Sequence, residues 1–381
     1  MTTTLAPAPR FLDIHLLQTM PYSNANRDDL GSPKTLIFGG TERTRISSQA
    51  WKRVTRHAVE QATGTQALRT RRVAPQVSAR LQARGWSADA ADTAGAQILR
   101  SAVTSAKKDG LAVEADGSSS VLLYLPTDAL DALADLAEAH RDAIEGQVGV
   151  KKPVAVLPTA EVAAILTSRN GSIHLLGRML AELPGGDVDG AVQVAHAFTT
   201  HGTEPQIDFF TAVDDVPSTS RGSGHMNSAE FSAGVFYRYA NIDLQGLESN
   251  LGGDTAMARE LVAAFLTAFA TTVPTGKQNS TAAQTLPELI HLTVRADRPV
   301  SLAGAFEAPV RAQTDGWAAP SRDKLADYAT RLRRMWTGDV VRFAGFTSID
   351  DTAYAGIGAR VQAVDELLAS ATAAAYPESG A

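Results

Sequence analysis

Two hydrophobic periods are nested along this 381-residue chain, and the nesting limits the folds open to it. Residues 11–20 put Leu12, Ile14 and Leu16 on one face while Phe11 and Leu17 are apolar too. That is the pattern of a strand buried on both sides, central in its sheet. Ser47 or Ser48 then N-caps a helix reaching residue 62, with Trp51, Val54 and Ala58 as its inward stripe. Residues 63–154 read as mostly helix, broken at Gly110 and at the Gly-Ser-Ser-Ser run 117–120, with one short apolar run at 121–124. After Pro158 strand patterns return at residues 173–179, 191–200 and 230–242, where Phe231, Val235, Tyr237 and Tyr239 share a face. A helix at 256–272, a strand at 289–294 and a helix at 322–336 follow, and the Ala-rich tail after Leu368 reads as frayed. A helical block set inside a strand–helix framework is an insertion in an α+β fold. Residues 21–44 read as a polar loop too long for a simple connection, and the Asp-, Ser-, Gly- and Pro-rich stretch before residue 230 as a protruding arm with its tip around 217–227.

The charge is unevenly placed. Residues 27–84 hold twelve Lys or Arg against four Asp or Glu, a net +8 in a chain whose total is −6, so the remainder carries −14. No acidic residue occurs from Gln61 to Ser87. Net charge alone gives no affinity for nucleic acid, but this region is a local patch suited to a polyanion. Gln49, Lys52, Arg53 and Arg56 recur at i, i+3, i+4 and i+7, one stripe of the helix. On spacing alone that stripe fits a solvated face as well as a backbone-binding one. Arg43 and Arg45 arrive where the helix start would expose N–H groups, and this favours phosphate.

Other chemistries drop out. The chain has no cysteine, which removes disulfides, thiolate metal sites and thiol nucleophiles. Glycine-rich nucleotide loops, the GxSxG elbow and the HExxH motif are absent. His140-Arg141-Asp142 lies in a helical pattern without the later Asn of a kinase loop, and His196 and His201 read as core or loop histidines. Asp28-Asp29 and Asp214-Asp215 are carboxylate pairs that either assist a metal or cap loops beside the arginines. No metal or cofactor is expected. Without an apolar span or leader pattern the chain reads as cytoplasmic, which makes the Asn170 and Asn279 sequons irrelevant.

Several blocks together carry a resemblance. They are Asn26-Arg-Asp-Asp29, Ile37-Phe-Gly-Gly40, Arg45-Ile-Ser-Ser-Gln49 with Lys52-Arg53, Gly177-Arg-Met179, residues 195–201, 208–215 and 230–242, and Gly276-Lys-Gln278. In order and content the set resembles the CasC family, the repeating backbone subunits of type I-E CRISPR Cascade complexes. The resemblance implies an RRM-like (ferredoxin-like) palm with an inserted helical fingers domain and a protruding thumb hairpin. Its parts would be palm at 1–62, fingers at 63–155, palm at 156–200, thumb at 201–230 and palm with the C-terminal tail at 231–381. The RNP1 signature of base-stacking RRM sheets is absent, so the sheet face is not assumed to bind bases.

The implied function is non-catalytic. Copies would assemble along a CRISPR guide RNA, alongside other Cascade subunits, and present the guide for pairing with target DNA before a helicase-nuclease is recruited. Carried over by motif position, Arg27, Lys34, Ser47, Gln49, Lys52, Arg53 and Arg56 would hold guide phosphates and sugars, while Met179 and Phe210 would be apolar wedges between bases. On residues alone, Met179 reads as core filler and Phe210 as a buried strand aromatic. The alternative is a metal-dependent ribonuclease like the type III backbone subunits, using Asp28 or Asp29. A free-standing single-strand RNA chaperone is a third reading.

Overall fold

The computed structural model describes residues 8–102, 110–212, 225–314, 316–338 and 340–377. The chain opens with β1 (Phe11–Ser23), β2 (Thr35–Phe38), β3 (Thr41–Ile46) and α1 (Ser48–Thr63). Then come β4 (Ala67–Thr70), α2 (Val73–Ala83), α3 (Ala88–Ser101), β5 (Leu123–Pro126), α4 (Ala129–Ala139), α5 (Arg141–Glu145), α6 (Thr159–Leu166) and α7 (Gly171–Leu176). Strands β6 (Val192–Val194), β7 (Ala197–Thr199), β8 (Gln206–Ala212) and β9 (His225–Asp243) lead to α8 (Leu244–Asn250), α9 (Thr255–Thr271) and α10 (Gln278–Thr281). The C-terminal part holds β10 (Leu289–Arg295), α11 (Ala318–Met335), β11 (Val341–Ser348), β12 (Ala359–Arg360) and α12 (Val364–Ala375). The protein is a mixed α+β chain in two compact units, one of residues 1–58, 192–248 and 254–381, the other of 59–191 and 249–253.

The first unit is a large sheet in the order β12-β11-β10-β1-β9-β7-β3-β2, with β6 and β8 also paired to β9. β1 is central, as its two-sided apolar pattern requires, and is antiparallel to both β10 and β9. On one face Leu17, Tyr237 and Tyr239 pack with Leu325, Ala326 and Ala329 of α11, which closes that face. On the other, Arg238 lies 3.6 Å from the Trp51 ring centre of α1 and 4.6 Å from that of Phe269 in α9. The strand after Trp336, β11, was not foreseen. Nor is the tail frayed: α12 buries Leu367, Leu368, Ala371 and Ala375, an apolar stripe hidden among alanines.

The stretch 21–44, expected to be loop throughout, contains the β2–β3 hairpin. Gly39 and Gly40 form its two-residue turn with φ +58° and +72°, and a Cβ on Gly39 would sit 1.7 Å from the Glu307 carbonyl oxygen. The inward stripe of α1 is Trp51, Thr55 and Val59 rather than Trp51, Val54 and Ala58, a rotation of the expected face.

The second unit packs α2, α3, α4 and α6 around Val77, Leu81, Ile98, Leu125 and Leu133, with β4 and β5 paired beside them. Its compact body runs to Ala191, past the residue 155 expected for the insertion, because Leu166, Leu180 and Leu183 join the same core. The expected strand at 173–179 is instead the helix α7. Asn170 accepts the Ile173 N–H at its start and Gly177, at φ +80°, ends it, and the short apolar run between carries no period of its own.

The closed sheet face contains a buried polar network. The Tyr239 hydroxyl donates to Asp13 Oδ1 at 2.8 Å, and the Val300 N–H donates to Asp13 Oδ2 at 3.1 Å. Burial nevertheless pushes the Asp13 carboxyl up to about 7. A raised acid stabilises fully below the unfolded value near 4 and loses that contribution as pH rises towards 7, with a slope of about 1.4 kcal/mol per pH unit. The stability difference between wild type and Asp13→Asn should therefore be largest near pH 4 and shrink towards pH 7 in urea unfolding; a difference independent of pH would refute the assignment.

Candidate nucleic-acid interface

The candidate interface is built on the path from β1 into α1. Asn24 ties the loop by donating to the carbonyls of Gly31 and Glu230, at 2.8 and 2.9 Å. Asp28 Oδ1 accepts the N–H groups of Leu30 and Ser32, each at 2.9 Å, so this carboxylate caps a turn. Asp29 is exposed on the same loop. The Lys34 N–H donates to the Asn26 carbonyl, and Arg27 bridges to Pro33. Asn26 Oδ1 then accepts the Ser47 N–H at 2.8 Å, which joins loop and helix start.

The helix start itself differs from expectation. Ser47 caps α1, its Oγ accepting the Ala50 N–H at 3.3 Å, and His196 Nδ1 accepts the Ser48 N–H at 3.1 Å. The amide cradle expected for phosphate is thus largely occupied by the protein's own acceptors. Burial and the charges of Arg45 and Lys34 hold His196 below the usual histidine range, which suits its acceptor role and places Lys34 and Arg45 near the helix start. Arg45 Nε donates to the Thr35 carbonyl at 3.1 Å. Arg43 is fully buried, donating to the Thr199 carbonyl at 2.9 Å and the Phe306 carbonyl at 3.1 Å. It cannot meet a ligand.

What remains for a ligand is a set of side chains. Arg27, Gln49 and Arg53 are exposed, Lys34, Lys52 and Arg56 half-buried, and Ser47 buried. Arg27, Lys34 and Arg53 have no carboxylate within ion-pair distance among the described residues. Unpaired cations on one rigid path are a site for an extended anion. The basic run downstream belongs to another account: Arg80 pairs with Asp131 at 2.7 Å and Arg84 with Asp135 at 2.7 Å, so the excess there is partly neutralised within the second unit by α4.

Met179 belongs to the second unit, and Phe210 to β8 of the first. Met179 is 90% exposed, so it fills no core. Its loop is stapled by Arg178, whose guanidinium donates to the carbonyls of Thr167, Ser168, Tyr124 and Gly186 at 2.7–3.0 Å. A Cβ on Gly177 would come within 2.8 Å of the Val188 carbonyl, so that position admits only glycine. Phe210 is 44% exposed on β8, which pairs antiparallel with the first half of β9. Beside it Ile207 and Phe209 are also exposed, on a two-stranded arm with three large apolar side chains in solvent. Sequence reading singled out only Phe210. The tip residues 217–224 and the pair Asp214-Asp215 lie outside the described residues. Among the described residues no group of three acidic or histidine side chains is placed to hold a metal, and no helix is long and apolar enough to cross a membrane.

Over residues 12–370 the sequence matches the family described as CT1975-like protein. The chain belongs to the CT1975-like protein family. Among solved structures this CT1975-like chain is similar to one titled "CRISPR RNA-guided surveillance complex, pre-nicking", at 50% identity over 96% of this chain and 100% of that one, TM-score 0.92. A second, titled "CRISPR RNA-guided surveillance complex", is 43% identical over 96% of this chain and 99% of that one, TM-score 0.81. No curated protein matches. The kinship read from the motif blocks holds.

Asn26 and His196 are positioning residues that sequence reading passed over, since nothing in a polar loop announces a bond 21 residues away. Asn26→Ala leaves the buried Ser47 N–H without its acceptor and should cost about 1–3 kcal/mol, read as a lowered urea midpoint. An unchanged midpoint would mean that water replaces the bond and that the loop is not locked to the helix.

Proposed function

We propose that this chain is a CasC-type, non-catalytic backbone subunit that binds CRISPR guide RNA, with copies of itself and other Cascade subunits as neighbours. The observation that carries the reading is the set Arg27, Lys34 and Arg53, cations with no carboxylate within ion-pair distance among the described residues, in a chain half identical along its length to one from an RNA-guided surveillance complex. Its first unit supports an RRM-like palm. β1, α1, β6 with β7, β9, α9 and β10 follow in chain order, and their strands lie in the order β10, β1, β9, then β6 and β7. In this reading the second unit serves as fingers and the β8–β9 arm as thumb.

The closed sheet face moves recognition away from stacking on the palm. Tyr237 and Tyr239 are buried under α11 and hydrogen-bonded, so bases cannot stack there. Guide binding then rests on backbone contacts by Arg27, Lys34, Ser47, Gln49, Lys52, Arg53 and Arg56, which carry no sequence preference. That suits a subunit serving every guide. Met179 and the apolar arm around Phe210 act on bases, setting some out of line and leaving the rest to pair with target DNA. A recruited helicase-nuclease does the cutting. The turn-capping role of Asp28 supports a structural carboxylate over a ribonuclease one. Cleavage of complementary RNA with Mg²⁺ that is lost on Asp28→Ala would overturn this.

The first test is co-expression with a repeat–spacer RNA and the partner subunits, followed by sequencing of the RNA that copurifies. A discrete guide of uniform length supports the reading, and heterogeneous cellular RNA or none rejects it. Arg53→Ala should weaken guide binding alike for all spacers and reduce the slope of log affinity against log salt by about 0.7; a spacer-dependent loss would remove Arg53 from the backbone contacts. Met179→Ala and Phe210→Ala should leave guide affinity nearly unchanged and alter the periodic chemical-probing ladder on the guide. A ladder identical to wild type would exclude both as wedges.

A further inference from the structure

The first unit holds a second feature that guide binding leaves unused. On the closed face of the sheet, at the edge of α11, a cavity of 460 Å³ opens among β1, β10 and the C-terminal end of α11. Its size falls in the range of small-molecule sites. The floor is two cross-strand pairs, Asp13 opposite Thr293 and His15 opposite His291. The imidazoles of His15 and His291 are stacked with centroids 5.3 Å apart.

The hydrogen bonds on this floor leave one ring nitrogen over. His291 Nδ1 lies 3.0 Å from the Gly345 carbonyl and its Nε2 3.1 Å from Thr293 Oγ1, so both ring nitrogens are engaged. His15 is 2% exposed, and its Nδ1 lies 2.9 Å from the Tyr237 hydroxyl. That hydroxyl also accepts the Leu302 N–H at 3.0 Å. Burial holds His15 neutral, well below the usual histidine range. The other ring nitrogen, Nε2, has no partner among the described residues, and the ring lines the cavity. Both oxygens of Asp13 are already engaged by Tyr239 and Val300.

The mouth is of a different kind. Arg298 and Arg333 are exposed there without a carboxylate in ion-pair distance among the described residues, while Arg295 is neutralised by Asp297 at 3.0 Å. Trp336, 70% exposed, stands beside them with Leu332 on the wall behind. A large aromatic left in solvent next to two free guanidinium groups is a poor solution for a bare surface and a good one for a planar anion.

We propose that this cavity is a nucleotide site, taking one base against His15 and Trp336 and keeping its phosphate at Arg298 and Arg333. The chemistry is the same for a free nucleoside monophosphate and for one nucleotide of a single strand. It does not depend on the guide-binding reading, since none of these residues lies on α1 or on the loop before it.

The test uses the full-length chain, titrated calorimetrically with each of the four ribonucleoside monophosphates and with short single-stranded oligonucleotides. Arg333→Glu and Trp336→Ala change exposed residues, and an unaltered unfolding midpoint confirms that they fold. Saturable binding of a monophosphate or an oligonucleotide that weakens at least tenfold in both variants, and is unaffected by Arg53→Glu, supports the site. Competition assigns the source: an oligonucleotide that displaces the monophosphate marks a strand nucleotide, and one that does not marks a free nucleotide. Overturning results are the absence of saturable binding by any of these probes, binding insensitive to both variants, and variant-sensitive binding of an acidic aromatic peptide alone. Loss of guide binding in Arg53→Glu would leave this outcome untouched, so the two readings fail separately.

Discussion

The buried guanidinium of Arg43 holds together the part of the structure on which the candidate interface depends. From β3 it donates to the carbonyls of Thr199, at the end of β7, and of Phe306, with Phe38 of β2 and Glu307 within 3.4 Å. Three separate stretches of chain converge on one charge. Gly39 lets the hairpin turn approach Glu307 at a distance no side chain tolerates. Once the β2–β3 hairpin is fixed there, the backbone bond from Arg45 to Lys34 and the Asn26–Ser47 bond bring the loop to the start of α1. The cost of burying the charge is offset by the carbonyl dipoles that surround it and by the charge of Glu307. Remove the guanidinium and those carbonyls are left unsatisfied in the interior.

The same economy of arginine explains where sequence reading succeeded and where it failed. Lengthy elements with a clear period, such as β1, β9, α9 and α11, were legible because two-sided or one-sided burial is written in the alternation of residue types. The stripe of Lys52, Arg53 and Arg56 was legible for the same reason. Arg43 counted towards a basic patch, yet its partners are backbone carbonyls from residues 38, 199, 306 and 307, which no local pattern discloses. Arg80 and Arg84 were counted too, and their charges meet Asp131 and Asp135 from a helix some fifty residues on. The helix α7 was read as a strand because six residues between Asn170 and Gly177 are too few to display a period. α12 was dismissed because alanine signals propensity without announcing burial.

Closure of one sheet face by α11 has consequences beyond packing. An open face with Tyr237 and Tyr239 outward would offer a stacking platform and therefore a preference among bases. Here those rings are used internally, with Asp13 and His15 as partners, and the exposed apolar groups are moved to a stapled loop and to a two-stranded arm. Stacking on such projections acts at isolated points along a strand. Contacts to the backbone by charge alone are what a guide-independent grip would need in the proposed role.

That grip has a particular electrostatic character. The N–H groups of Ser47, Ser48 and Ala50 already have acceptors in Asn26, His196 and Ser47 itself, so the start of α1 offers little of the directional amide recognition that phosphate sites often use. In the proposed role, recognition would fall to long, flexible cations at the surface. Such contacts tolerate small shifts of the phosphate without losing much energy, and they are strongly screened by salt. The rigid bonds beneath them fix where each cation begins, while the side chains adapt at their ends. If the proposed apolar projections bend a strand at intervals, its phosphates cannot all lie at one regular spacing, and adaptable side chains on fixed backbone suit that case.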